Sequence, residues 1–295
     1  MMTVAIAGGT GLIGSALRAS LEADGHRCLI LSRSPGENTV RWDPETGEID
    51  AGALAGVDAV VNLAGRNIGG RWSESVKREI RESRVAGTEL LARLIAELEP
   101  KPRVFINASA IGYYGIERDG DLAEDAPAGE GFLADVCREW EAAAAPAIAS
   151  GVRTVLLRNG VVLTPDGGAL EKILTPFKAG IGGPIGDGKQ WMSWIALDDV
   201  VGLIRFCLNH DSISGPVNAT APAPVTNAEF ATTLGEVMDK PSAITTPAFA
   251  VKFAFGQMAE ETVLSSVRVL PAKAEAAGYV FRFPTLQPAL EHLLS

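Results

Sequence analysis

Thr3-Val4-Ala5-Ile6-Ala7-Gly8-Gly9-Thr10-Gly11-Leu12-Ile13-Gly14 governs how the rest of the chain is read. The apolar run at 3–7 ends on Gly8, and Ile13, Leu17 and Leu21 then recur every fourth residue, the helical period. The stretch therefore reads as strand, tight turn and helix. Glycines at 8, 11 and 14 sit where such a turn needs them: without a Cβ they allow the bend, a close approach to a pyrophosphate, and packing of helix on strand. The first N–H groups of the helix then face the negative charge. In this context the loop is a dinucleotide cradle.

Beyond it, strand-like runs at 27–31, 59–63, 104–106 and 154–157 alternate with helical stretches at 75–98 and 133–148. That alternation predicts an α/β fold of Rossmann type, a doubly wound parallel sheet. Residues 1–160 form its core, joined by later sheet elements from 196–220. Residues 161–295 supply substrate-side segments and a small, mainly helical C-terminal lobe, not a second sheet. Val40-Arg41-Trp42 and Gly47-Glu48-Ile49 flank the turn-rich Asp43-Pro44-Glu45-Thr46, a small hairpin insertion without a chemical role. Residues 180–188 hold five glycines and one proline, a loop expected over the open side of the sheet. Thr226-Asn227-Ala228-Glu229 fits a capping box ahead of a helix with Phe230, Leu234 and Val237 on its apolar stripe.

The composition narrows the partners. A net charge of −10 and a pI near 4.9 argue against a surface for nucleic acid, which needs clustered Lys and Arg. No stretch reaches the roughly 20 apolar residues of a spanning helix, and residues 1–7 lack the features of a signal peptide, so no membrane partner and a cytoplasmic location are expected. Cys28, Cys137 and Cys207 are odd in number, widely spaced and set in apolar segments, which suits buried free thiols. His26, His210 and His292 are scattered, so no metal site is expected.

The second strand run sharpens the nucleotide. A site preferring NAD(H) ends that strand on Asp or Glu, whereas here Leu31 is followed by Ser32 and Arg33. No carboxylate stands there to repel a 2′-phosphate, and a guanidinium can pair with one. The expected cofactor is NADP(H).

With the 8–14 loop, Asn62-Leu63-Ala64-Gly65 after a later strand and Tyr113-Tyr114-Gly115 after another, the chain resembles the extended short-chain dehydrogenase/reductase superfamily. Arg71-Trp72, Ser83-Arg84, the segment from Phe132 to Glu141, Gly182-Gly183-Pro184-Ile185-Gly186 and Gly278-Tyr279 resemble its atypical "epimerase family" branch, which includes nucleoside-diphosphate-sugar epimerase-like proteins. The resemblance implies that Gly8, Thr10, Gly11, Leu12, Ile13 and Gly14 hold the pyrophosphate, Ser32 and Arg33 the adenosine phosphate end, and Leu63 and Ala64 the adenine or ribose. It places Arg84 at the cofactor too, against the alternative of a solvated helix arginine. It further suggests a homodimer.

Classical members carry Tyr-x-x-x-Lys, in which the Lys holds the ribose and lowers the Tyr pKa. That pair is missing: matching Trp140-Glu141 to the family helix puts Leu133 at the Tyr position and Cys137 at the Lys position. Ser109, Tyr113 and Tyr114 remain as catalytic candidates, with aromatic packing as the alternative for the two tyrosines. Lys189, Trp191 and Ser193, with Gln190 and Trp194, are candidates for an aromatic-walled substrate cleft. Asp198 and Asp199 read as helix N-terminal acids favoured by the macrodipole. Arg158 and Asn159 end a strand on the ligand side of the sheet, where a ligand contact and a structural ion pair both fit. Two functions follow: an oxidoreductase or epimerase acting on a polar small molecule, a sugar nucleotide among the classes suggested, or a non-catalytic NADP(H)-binding regulator or scaffold.

Overall fold

The computed structural model describes residues 1–295. β1 (Thr3–Ala7) turns through the glycines into α1 (Leu12–Ala23) and is followed by β2 (Arg27–Ser32), β3 (Thr39–Asp43) and β4 (Glu48–Ile49). Next come β5 (Ala59–Asn62), α2 (Glu74–Glu97), β6 (Val104–Ala110), β7 (Glu117–Leu122), α3 (Phe132–Ala142), α4 (Ala145–Ala149) and β8 (Arg153–Asn159). β9 (Val161–Leu163), α5 (Gly168–Lys178), β10 (Trp191–Met192), β11 (Trp194–Ala196), α6 (Leu197–Asn209) and β12 (Gly215–Ala219) lead into the last third. There lie β13 (Val225–Thr226), α7 (Asn227–Met238), α8 (Ala248–Phe255), α9 (Gln257–Glu261), β14 (Ser266–Val269), α10 (Ala272–Ala276) and α11 (Leu286–Leu293).

Eight strands make one sheet in the order β12-β8-β6-β5-β1-β2-β3-β4, parallel throughout except for β4. Because alternate side chains leave opposite faces, Val4 and Ile6 pack with Leu17, Leu21, Val200 and Leu203 under α1 and α6, while Ala5 and Ala7 pack with Leu91, Ile95 and Leu156 under α2 and α4. The strand order reverses between β1 and β5. A sheet of this kind opens a crevice at the carboxyl ends of the strands at such a reversal.

Three expectations change. The helical stretch 133–148 is two helices, because Pro146 lies in the first turn of α4 and a ring there cannot continue α3. The hairpin is no appendage: β3 pairs in parallel with β2 and extends the main sheet, and only β4 folds back on it. The C-terminal lobe is mainly helical, yet β14 pairs in parallel with β7 and β10 in antiparallel with β13. A separate apolar core joins Leu170, Phe177, Trp194, Phe230, Leu234, Phe283 and Leu290, drawn from α5, β11, α7 and the tail. All three cysteines are buried. No helix is long and apolar enough to cross a membrane.

Candidate functional site

The glycine turn closes by contacts that leave no room for side chains. A Cβ on Gly14 would stand 2.1 Å from the Gly8 carbonyl oxygen, and Gly8, at φ +75°, has the Leu63 backbone within 2.8 Å of where its own Cβ would be. Gly11 is the N-cap of α1, no side chain caps it, and the first turn carries no acid. The leading N–H groups of the helix are therefore open to an anion. Thr10, Gly11, Leu12 and Ser15 line a cavity of about 250 Å³ together with Thr164 and Asp166 from the segment after β9. Gly167 packs on Leu12 in turn, where its Cβ would be 2.9 Å from Leu12 Cδ2.

At the next strand end, Ser32 Oγ accepts from the Ser34 N–H at 3.1 Å, and Arg33 pairs with Glu45 at 3.2 Å. Arg41, the register partner of Ser32 on β3, pairs with Glu48 at 2.9 Å and donates to the Arg33 carbonyl oxygen. In sequence Arg41 lies inside the hairpin, and only the parallel pairing of β3 with β2 sets it beside the end of β2.

On the other side of β1, Asn62 donates to Asn107 Oδ1 at 2.7 Å and to Thr88 Oγ1 at 3.0 Å, and its Oδ1 accepts from the Ala64 N–H at 3.2 Å. These buried bonds fix the Leu63-Ala64 turn against the glycine loop. Arg84 reaches the same edge. Its guanidinium abuts Gly65, stacks 5.1 Å from the Trp140 ring, donates only to the Ile80 carbonyl oxygen, and meets no carboxylate. Burial lowers its pKa from the ordinary arginine value.

The catalytic candidates separate. Ser109 is buried and donates to Glu141 of α3 at 2.7 Å, so its hydroxyl is committed to that carboxylate. Tyr114 is fully buried, with its hydroxyl 2.7 Å from Asn218 Oδ1 and accepting from Arg158 at 3.0 Å, and burial raises its pKa. Tyr113 alone is partly exposed, and the Arg158 guanidinium lies 3.5 Å from its ring centre. Arg158 is itself buried and clamps Glu141 through two bonds, at 2.8 and 2.9 Å. Burial alone would lower the Arg158 pKa, but the Glu141 bonds and charge more than offset that and hold it above the usual arginine range. The structure thus resolves Arg158 as a structural ion pair. Asn159 keeps a buried Oδ1 with no partner.

Leu133 and Cys137 line the side of α3 that packs on Gly112, where a Cβ would stand 3.2 Å from Leu133 and 3.8 Å from the Cys137 sulfur. Burial, with the Glu141 charge adding to it, pushes the Cys137 thiol up to about 11. Buried Glu261 of the C-terminal lobe caps α3, accepting from the N–H groups of Phe132 and Leu133 at 3.1 and 2.7 Å.

The substrate candidates do not converge. Ser193 is 1% exposed and spends its hydroxyl on the Val267 carbonyl and the Val269 N–H, so it ties the Trp191–Ala196 region to β14 and cannot meet a ligand. Trp191 is partly exposed, with Arg268 over its ring at 4.8 Å, and Lys189 is exposed beside Asp187. Asp198 and Asp199 both lie in the first turn of α6, and Asp199 has a further role: it is buried and accepts from the N–H groups of Arg282 and Phe283 at 2.7 and 2.9 Å, which pins the tail to α6.

Residues 4–219 match the NAD dependent epimerase/dehydratase family, and residues 246–293 match a domain described as of unknown function, DUF1731. An epimerase family protein of Mycobacterium leprae is 47% identical over 292 residues, 98% of this chain and 94% of that protein. The crystal structure of the human epimerase family protein SDR39U1 with NADPH matches with a TM-score of 0.91 at 36% identity, covering 99% of both chains. A nucleoside-diphosphate sugar epimerase from Corynebacterium glutamicum gives a TM-score of 0.83 at 38% identity, covering 99% of this chain and 58% of that one. The glycine cradle at the sheet reversal and the match over most of the chain lead to one conclusion: this protein belongs to the NAD dependent epimerase/dehydratase family.

Proposed function

We propose that this protein binds NADP(H) and performs oxidoreductase or epimerase chemistry on a polar small molecule. The observation that carries the nucleotide is the pairing of an uncapped α1 N-terminus, whose glycines leave no space for a Cβ, with Arg33 where β2 ends on Ser32 instead of on an Asp or Glu. These residues fit the group: Gly8, Thr10, Gly11, Leu12, Ile13 and Gly14 would hold the pyrophosphate, Ser32 and Arg33 the 2′-phosphate, Leu63 and Ala64 the adenosine side, and Arg84 an oxygen near Gly65. The bound nicotinamide supplies hydride transfer. The human relative solved with NADPH supports the same nucleotide.

The chain's own part in proton handling falls to Tyr113. Leu133 carries no proton, and the Cys137 thiol, raised to about 11, stays neutral near pH 7 and offers no cation to a ribose. Tyr113 is held against Arg158, which Glu141 fixes in place, so its ring is braced while the residue keeps partial exposure. Trp191 and Lys189 would border the substrate. A sugar nucleotide suits this reading through the relative from C. glutamicum. The second reading, a non-catalytic NADP(H)-binding regulator, draws on the same Leu133 and Cys137, because an acid/base pair is worth about 10²- to 10⁴-fold in rate.

Titration of the protein with NADPH and NADH, repeated with Arg33→Ala, tests the nucleotide. NADPH is expected to bind about tenfold or more tightly than NADH, with the difference collapsing in the variant. Binding of neither nucleotide defeats the proposal. With binding secured, transfer of label from 4-deuterated NADPH to carbonyl and sugar-nucleotide candidates separates enzyme from regulator.

A further inference from the structure

Two arginines and three carboxylates interlock where β2 and β3 end. Arg33 pairs with Glu45, and Arg41 pairs with Glu48 and, at 3.5 Å, with Asp43. The arrangement is built by the hairpin. Asp43 Oδ1 accepts from the Glu45 N–H at 3.1 Å, a local turn that presents the Glu45 carboxylate to Arg33, and Gly47 at φ +73° lets the chain reverse so that Glu48 faces Arg41. Arg41 also donates to the Arg33 carbonyl oxygen, which links the two guanidinium-bearing segments. Side-chain exposures of 64% for Arg33 and 81% for Glu45 make theirs a weak, exchangeable pair.

We infer that this hairpin sets the strength of the nucleotide preference: Arg41 is a second ligand for the 2′-phosphate, and Glu45 is a carboxylate placeholder on Arg33 that the phosphate displaces. The inference rests on the NADP(H) reading. A phosphate offers three acceptor oxygens and more charge than a carboxylate, so it outcompetes Glu45 for a guanidinium and spans two of them. NADH brings nothing to exchange for Glu45 and leaves the ion pairs intact. Glu45 therefore weakens the binding of NADPH alone, and Arg41 strengthens it alone.

Calorimetric titration of wild type, Glu45→Gln, Arg41→Ala and Arg33→Ala with NADPH and NADH tests this, with NADH binding and the circular dichroism spectrum as controls for folding. Glu45→Gln is expected to tighten NADPH about two- to fivefold. Arg41→Ala should weaken NADPH about tenfold, and NADH should be unchanged in both. Unchanged NADPH affinity in both variants overturns the inference, and so does a loss in Arg41→Ala shared equally by NADH. If Arg33→Ala still weakens NADPH in that case, the NADP(H) reading survives on its own. A wild-type chain that binds NADPH no more tightly than NADH overturns both.

Discussion

Glu141 sits at 10% exposure and holds Arg158 by two bonds, Ser109 by a third, and through Arg158 the ring of Tyr113. Removing one partner of such a pair strands a buried guanidinium, so Glu141→Ala should cost roughly 3–5 kcal/mol, read from the urea midpoint. A loss under about 1 kcal/mol would mean the pair is not buried as described. The same residues show what sequence could and could not disclose. Arg158 at a strand end suits a ligand or an ion pair equally, and the choice lies in Glu141, 17 residues away and brought alongside only by folding. Ser193 and Asp199 were legible as polar residues near a loop and a helix start. Their partners, Val267, Val269, Arg282 and Phe283, come from the far end of the chain.

Elements read better than side chains, because their signals are local. The glycine turn, the α1 period and the capping box need only neighbours within a few residues, and the structure has all three, with Thr226 Oγ1 accepting from the Glu229 N–H while the Glu229 carboxylate accepts from the Thr226 N–H. The bonds that the Glu229 carboxylate accepts from the Thr226 N–H and, second, from the Thr226 hydroxyl hold its carboxyl below the usual carboxylate range. Thr226→Ala is expected to lower stability by about 1 kcal/mol in chemical denaturation, whereas an unchanged midpoint would mean the cap adds nothing to packing of α7. The hairpin shows the limit of local reading. Its turn was visible in Asp43-Pro44-Glu45-Thr46, but the parallel pairing of β3 with β2, which carries Arg41 to the end of the sheet, has no local signature.

At the scale of the whole molecule, burial of the three cysteines gives a pH signature. Burial raises Cys28 and Cys137 to about 11 and Cys207 to about 12, above the ordinary 9.0. The unfolded chain thus releases these protons first, so the stability they contribute is fully present below about pH 9 and is lost as pH rises through about 11. The denaturation midpoint should hold from about pH 7 to 9 and then fall, and Cys207→Ala, though less stable at pH 7, should fall less steeply. Equal slopes for the variant and wild type would remove the thiols as the cause. The tail adds to the same cooperative unit, since Phe283 and Leu290 complete the core shared by α5 and α7.

Nucleotide held by the glycine turn and the end of β2 is the central claim, and hydrogen–deuterium exchange with and without saturating NADPH locates it without any substrate. Residues 8–15 and 32–34 are expected to gain protection, with 63–65 following. Protection confined to other segments, or none at all under conditions of saturation, would contradict it.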